Sequence, residues 1–382
     1  MLRPVRVIPP PISPADEGNA PVDVEMVASD EVPPGFSFTT KHPSSGRGYR
    51  YRQCMANPFL PNILYTQCET PSEVCGPNLL DHGPRVAFSR DLVMTTSQGY
   101  QSCRANVAIA EGDWYFEVRV LKANEVGSDA HVRLGLSRRE FGVETPVGSD
   151  AYSYGFLDSG RKIHTARPHD FVEGFTTGDV IGFHVRIPRQ TLIPTKARRD
   201  RFQIRFGDQL YHEVLDYVSS KHLDQLLFSK EGVDLEPPES EQIPGSSITI
   251  YKNGVFQGVL AENIREFLPP FSKFEKSHYI PPYNDGLLGY YPTVSMYRGG
   301  AVQFLMGPTF EYGMPAGSRP ACELWDQQIS DDIVFDLIDQ VHYEVTDPTH
   351  PDKVQGTLPV WLATTIPKLN RKAQRIKVEG KK

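Results

Sequence analysis

Two alternating runs constrain this chain more than anything else in it: Gly112-Asp113-Trp114-Tyr115-Phe116-Glu117-Val118-Arg119-Val120 and His131-Val132-Arg133-Leu134-Gly135-Leu136-Ser137. Side chains alternate across a strand, so each run presents two faces. Trp114, Phe116, Val118 and Val120 share one face of the first, opposite Tyr115, Glu117 and Arg119. Val132, Leu134 and Leu136 share one face of the second, opposite Arg133, Gly135 and Ser137. This is the pattern of half-buried antiparallel strands. Each large side chain that is fully buried stabilises by about 1.5–3 kcal/mol, so the two runs supply much of a core. Arg133 is out of character: a mid-strand arginine among apolar neighbours either faces water, paired with an acid, or lines a pocket.

Further strands are expected at Arg85–Phe88, Leu92–Thr95, Ser102–Ala108, Tyr152–Phe156, Val180–Arg186, Phe202–Phe206, Ile248–Lys252, Thr293–Tyr297 and Ala301–Leu305. Turn formers separate them, notably Thr177-Gly178-Asp179, Arg298-Gly299-Gly300 and Asn253-Gly254. The last is a strong type I′ hairpin signal, because both central residues of that turn need positive φ. Many short strands and few helices predict an all-β fold, an antiparallel β-sandwich, over residues 85–308. Excursions are expected at 188–246 and at the Pro-rich 267–286.

The flanks differ in composition. Residues 1–34 hold eight prolines and six acidic residues against two arginines, which predicts a disordered acidic lead. Residues 35–84 carry aromatics among prolines and glycines and read as an irregular arm packed on the sandwich. Within it Arg47, Arg50 and Arg52, interleaved with Tyr49 and Tyr51, either touch phosphates or form the solvated face of a strand. The net charge of −7 argues against wholesale nucleic-acid coating but leaves local basic patches open. No run approaches 18 apolar residues, so no membrane span is expected, and no compact apolar N-terminal segment suggests secretion. The five cysteines form no CxxC pair, which predicts reduced thiols, no metal and no cofactor.

The order of blocks resembles a SPRY domain. It runs through Asp113-Trp114-Tyr115-Phe116-Glu117-Val118, Arg133-Leu134-Gly135, Tyr152-Ser153-Tyr154, Gly178-Asp179-Val180-Ile181-Gly182-Phe183, Tyr251-Lys252-Asn253-Gly254 and Tyr291-Pro292-Thr293-Val294-Ser295. Pro146-Val147-Gly148, Lys162-Ile163-His164 and the closing Phe304-Leu305-Met306-Gly307-Pro308 narrow it further. Together they resemble the SPRY subunit of COMPASS, the SET/MLL-type histone H3 lysine-4 methyltransferase complexes, in its fungal, ASH-two-like form. The resemblance implies a non-catalytic, nuclear scaffold. Its SPRY surface would hold an acidic segment of the WD-repeat subunit and support the separate SET-domain catalytic subunit. Arg133 would be the central basic residue of that pocket, with Tyr100, Pro146, Lys162 and Arg161 around it. Guanidinium binds carboxylate bidentately, which suits an Asp/Glu-rich peptide. The chain departs from the animal pattern at Ser149, Leu157, Asp158 and Ser159, where a tyrosine and basic residues are expected. Arg138, Arg139 and Arg161 are the basic residues that would compensate.

Beyond residue 308 a linker leads to a helix. Ser330 is read as its cap, and Asp331 and Asp332 suit its first turn. Ile333, Val334, Leu337, Ile338, Val341 and Val345 form a stripe roughly 140° wide at 100° per residue. It resembles the family's docking helix for the DPY-type dimerisation subunit. The alternative is a helix packed on its own domain. Residues 346–382 form a tail that ends with seven Lys/Arg against one Glu after residue 367. This tail, with Lys368, Arg371, Lys372 and Arg375, and the basic start of the first insertion, with Lys196, Arg198, Arg199, Arg201 and Arg205, either contact nucleosomal DNA or are solvated.

Enzymatic readings fare poorly. There is no Gly-rich phosphate loop, no HExxH and no GxSxG, and no small-molecule substrate is expected. A glycosidase on a sandwich needs two carboxylates across a cleft; Asp113 and Glu117 are present, but no paired acidic motif is. A substrate receptor of a ubiquitin ligase is the other alternative. It would bring a RING/B-box or SOCS-box module, which is not seen here.

Overall fold

The computed structural model describes residues 26–39, 74–189, 242–266 and 288–331, and the backbone of strands at 51–53, 201–206 and 209–214. It is an antiparallel β-sandwich. One sheet runs Arg167–Asp170, Arg161–His164, Ser153–Leu157, His131–Ser137, Tyr291–Tyr297, Gln101–Ala105, Pro77–His82. The other is built on Gly112–Lys122, flanked by Ala301–Leu305 on one side and by Val180–Ile187, Ser247–Lys252 and Val255–Glu262 on the other. Trp114, Phe116, Val118 and Val120 face Val132, Leu134 and Leu136 in one continuous core. Phe116 stacks on Phe183 across a registered pair, with ring centroids 5.0 Å apart. The inward faces are therefore those the alternation indicates. Asn253 and Gly254 have φ of 51° and 77°, as the hairpin signal requires.

The arm does more than drape. Pro77–His82 joins Gln101–Ala105 as an edge strand, and Phe36–Thr39 joins Ala87–Ser89. Met26–Ala28 pairs in turn with Phe36–Thr39, inside the stretch expected to be disordered. Asp81 explains how the arm is held. Its buried carboxylate receives Arg104 Nε at 2.7 Å, Arg104 Nη2 at 2.8 Å and Arg139 Nη1 at 2.6 Å.

The reverse face of the central strand is also covered, contrary to the half-buried expectation. Tyr115 and Glu117 are each 1% exposed. The chain after residue 306 crosses over them: Phe310 packs edge-on against Tyr115, and Glu311 N donates to Glu117 Oε2 at 3.0 Å. Arg319–Pro320 then pairs parallel with Trp114 and Tyr115. Glu117 therefore cannot share an open cleft with Asp113, which removes the geometry a glycosidase pair needs.

Residues 321–331 are helical, so the helix starts well before Ser330. Ser330 is not its cap; its hydroxyl donates back to the Asp326 carbonyl at 2.8 Å. Ala321, Leu324 and Trp325 pack on the core, and Gln328 Nε2 donates to the Ala108 carbonyl at 2.6 Å. The stripe Ile333, Val334, Leu337, Ile338, Val341 and Val345 lies outside the described residues. So do Lys196, Arg198, Arg199, Lys368, Arg371, Lys372 and Arg375. Arg201 and Arg205 fall in a strand, Arg201–Phe206, that pairs with Gln209–Val214 and through it with Tyr51–Gln53.

Candidate functional site

Cross-strand register sets the candidate pocket on the outer face of the seven-stranded sheet. Arg133 lies opposite Ser295 on one side and Leu157 on the other. Its neighbours along the strand, Val132 and Leu134, point into the core, so Arg133 must project outward. Half-buried, its guanidinium carbon lies 4.7 Å from the centroid of the Tyr100 ring, a cation–π arrangement. Among the described residues it makes no ion pair or hydrogen bond, and its buried Nε has no acceptor. A buried donor without a partner costs about 1–3 kcal/mol, a cost that a bound acceptor removes.

A serine pair holds the segment that carries Pro146 to this face of the sheet. Ser102 Oγ lies 2.7 Å from Ser295 Oγ and donates to the Thr145 carbonyl at 2.6 Å. Val147 N donates to Ser295 Oγ at 2.8 Å. Val147 is thus fixed to Ser295, opposite Arg133, and Thr145 to Ser102, opposite Ser295 on the next strand, which sets Pro146 between them over the outer face. The loop lies this close to the sheet because Gly155 leaves room for the Val147 carbonyl, 2.8 Å from where a Cβ would stand.

The other expected residues divide. Arg161 is exposed and begins the strand that follows the turn after Leu157, so it stays on this side of the sheet. Lys162 is not brought to the pocket. It pairs with Phe156, an inward residue, which turns it to the opposite face, where its Nζ lies 5.4 Å from the Phe171 ring centroid. Arg138 and Arg139 do not compensate either. Arg138 is buried against Glu140 and Arg139 against Asp81, both past the Gly135 end of the strand. Asp158, expected as a departure in the far wall, is buried and accepts from Val132 N at 3.1 Å and pairs with His131 Nδ1 at 2.9 Å.

Sequence reasoning missed Ser102, Ser295, Tyr297 and His131. Tyr297 and His131 form the next registered pair beyond Ser295 and Arg133 on the same face. The period-two step from Ser295 to Tyr297 and from Arg133 to His131 is the signal that would have found them. Among the described residues no group of His, Cys, Asp and Glu is placed to hold a metal.

Comparison with known proteins follows the same lines. The family model described as SPRY domain matches residues 113–209. The Set1 complex component ash2 of Schizosaccharomyces pombe is 38% identical in an alignment of 359 positions that covers 89% of this chain and 52% of that protein. The COMPASS component cclA of Colletotrichum higginsianum is 32% identical in an alignment of 402 positions, gaps included, that covers 82% of this chain and 69% of the relative. The chain thus spans about half the length of the first of these relatives and just over two thirds of the second. A crystal structure of a human SPRY domain aligns with 60% of this chain and 99% of its own, at 14% identity and a TM-score of 0.33.

Proposed function

The chain belongs to the family of SPRY-domain components of Set1/COMPASS complexes, and on that premise we propose that it is a non-catalytic scaffold of a nuclear histone H3 lysine-4 methyltransferase complex. Arg133 binds an acidic segment of the WD-repeat subunit, with Tyr100 as floor, Pro146 as wall and Arg161 at the margin. The pair supports the SET-domain catalytic subunit. The apolar stripe from Ile333 to Val345 docks on the DPY-type dimer. The basic segments around Lys196–Arg201 and Lys368–Arg375 add affinity for nucleosomal DNA.

One observation carries this reading. Arg133 is an outward, half-buried guanidinium seated on an aromatic ring, with no acidic partner among the described residues. Arg104, a buried arginine of the same face, and Arg138, just beyond the strand, hold carboxylates of their own. A site built this way takes a carboxylate from outside. The test is titration of the full chain with a synthetic acidic segment of the WD-repeat subunit. Arg133→Ala should weaken binding by roughly 1.5–3 kcal/mol, the worth of a charge-assisted hydrogen bond, and wild-type binding should weaken with salt. Undiminished affinity in a folded Arg133→Ala protein would remove Arg133 from the site.

A further inference from the structure

We propose that the anion site extends from Arg133 across the Tyr100–Tyr297 pair to His131 and Arg298, so that the bound peptide is held by carboxylates at two separate places. This rests on the reading of Arg133 as a peptide-binding residue and goes beyond it in naming a second subsite.

Register puts the two subsites side by side. Ser295 lies opposite Arg133, and two residues on, Tyr297 lies opposite His131, which keeps all four on the outer face. The Tyr297 ring centroid is 4.8 Å from that of Tyr100 with a tilt of 35°, so the rings form one continuous floor. A cation stands over each ring: Arg133 over Tyr100 at 4.7 Å and Arg298 over Tyr297 at 5.2 Å. His131 lies at the edge of the same floor, its ring centroid 6.4 Å from that of Tyr297.

Both added groups are positioned by their surroundings. The His131 side chain is 41% exposed, but its Nδ1 is anchored 2.9 Å from the buried Asp158 carboxylate. Asp158 is itself fixed by the Val132 N–H. Holding Nδ1 this way sets the ring orientation and leaves Nε2 as the nitrogen that meets a ligand. Arg298 occupies left-handed backbone, with φ of 43°, in a turn tied to the segment that carries Tyr100. Arg298 N donates to Gln98 O at 2.9 Å and Gly299 N to Thr96 O at 2.6 Å. The one ion pair of Arg298 among the described residues is to Asp129 at 3.0 Å, and with side chains 56% and 76% exposed it is open to exchange for a ligand carboxylate.

The opposite flank of Arg133 offers less. Leu157 is apolar, Asp158 is engaged with His131, and Arg138 and Arg139 are engaged elsewhere. Among the described residues Arg161 is the one cation on that side that faces the site, and no described ring supports it. The charges that meet a peptide running past Arg133 therefore lie toward Tyr297. A flat pair of rings with cations spaced across it suits an extended acidic chain, whose apolar portions rest on the rings while its carboxylates reach the edges.

The experiment uses the full chain and a synthetic acidic segment of the WD-repeat subunit, together with its single Glu→Gln and Asp→Asn variants, in calorimetric titrations. His131→Ala and Arg298→Ala should each weaken binding about threefold to tenfold, and Arg161→Ala, at the margin of the first subsite, should weaken it less. Double-mutant cycles should couple Arg298 and His131 to a peptide carboxylate different from the one coupled to Arg133. Wild-type affinity in both His131→Ala and Arg298→Ala, with binding still lost in Arg133→Ala, overturns the second subsite and leaves the first. Coupling of the second carboxylate to Arg161 overturns it equally. Unchanged affinity in Arg133→Ala as well would instead sink the reading on which the inference rests. Arg298 is exposed, so Arg298→Ala should melt with the wild type; His131→Ala takes a partner from the buried Asp158 carboxylate, so if its melting temperature falls, Arg298→Ala is the deciding variant.

Discussion

Asp81→Asn tests how the arm and the pocket loop are held together. The wild-type carboxylate is buried and takes three hydrogen bonds from two guanidinium groups, Arg104 and Arg139. Arg104 also donates Nη1 to the carbonyls of Arg138 at 3.2 Å and Phe141 at 3.0 Å, so one ion cluster ties the edge strand Pro77–His82 to the start of the Pro146 loop. Removing one partner of a buried ion pair costs about 3–5 kcal/mol, because the remaining charge is left uncompensated. Asparagine keeps the shape and one acceptor oxygen, so the lower end applies. For a domain of this size about 3 kcal/mol lowers the melting temperature by roughly 6–12 °C. Burial alone would raise the Asp81 pKa, but the charges of Arg104 and Arg139 outweigh it and hold the carboxyl well below its usual range. A depressed folded-state pKa contributes stability that is complete above the unfolded value, near 3.9, and is lost as pH falls through the folded one. The gap between wild type and Asp81→Asn should thus stay constant from pH 7 to about pH 4 and narrow below. Thermal unfolding across that range is the assay. A melting temperature lowered by less than about 2 °C at pH 7 would show that the cluster does not fasten the arm.

Other expectations follow from the same geometry. Gly135→Ala places a Cβ against the Tyr154 carbonyl oxygen of the neighbouring strand, where backbone cannot yield cheaply, and should cost several kcal/mol, roughly 3 or more, in denaturant unfolding. Tyr115→Phe removes the hydroxyl that donates to Glu117 Oε1 at 3.1 Å in a fully buried setting; it should destabilise by about 1–3 kcal/mol, and a neutral result would mean the Glu117 carboxylate is satisfied by Glu311 N alone. Neutralising Lys196, Arg198, Arg199 and Arg201 together with Lys368, Arg371, Lys372 and Arg375 should flatten the dependence of log K for DNA on log salt by about 0.9 for each phosphate that is no longer neutralised, measured by mobility shift; an unchanged slope would show that these segments are solvated.

What could be read without coordinates was whatever depends on local period. The inward faces of the Trp114 and Val132 runs needed only alternation, and the Asn253-Gly254 turn only the φ demand of its residues. Val255–Glu262 went unread because register shifts in its partner, at Ile248/Thr249 and Ile250/Tyr251, break the alternation between the two strands. The Arg161–His164 and Arg167–Asp170 hairpin went unread because Thr165 and Ala166 hold φ of 52° and 59° without the residues that usually mark such a turn. Pro77–His82 owes its burial to Asp81 and its partners across the fold, which no window of sequence contains. Covering of Tyr115 and Glu117 by the Phe310–Pro320 segment is non-local in the same way. The outward place of Arg133 was legible, since a mid-strand arginine is anomalous by itself. The margin of the candidate pocket was not. Lys162 lies on the wrong face because strand parity across the Leu157–Gly160 turn decides the matter, and parity there follows the turn's length.

The helix sharpens the remaining prediction. Its described part docks through Ala321, Leu324, Trp325 and Gln328, which cluster on one side. Carried forward at 100° per residue, the phase of that face places the stripe of Ile333, Val334, Leu337, Ile338, Val341 and Val345 about 150° away from it. A continuous helix would then turn this stripe away from the sandwich that holds its first turns, and such a face needs another surface to bury it. The described start of the helix packs on its own domain, and the stripe is the part left for the proposed docking on the DPY-type dimer. Leu337→Glu puts a carboxylate in the centre of the stripe and should abolish capture of that dimer, while the sandwich's melting temperature moves by less than about 2 °C, as for a surface substitution. Leu324→Ala should do the reverse, costing up to about 2–5 kcal/mol of stability in proportion to its burial, with capture retained. If Leu337→Glu instead lowers the melting temperature by many degrees, the stripe packs on the sandwich, the helical phase is broken beyond Asp331, and the docking assignment fails.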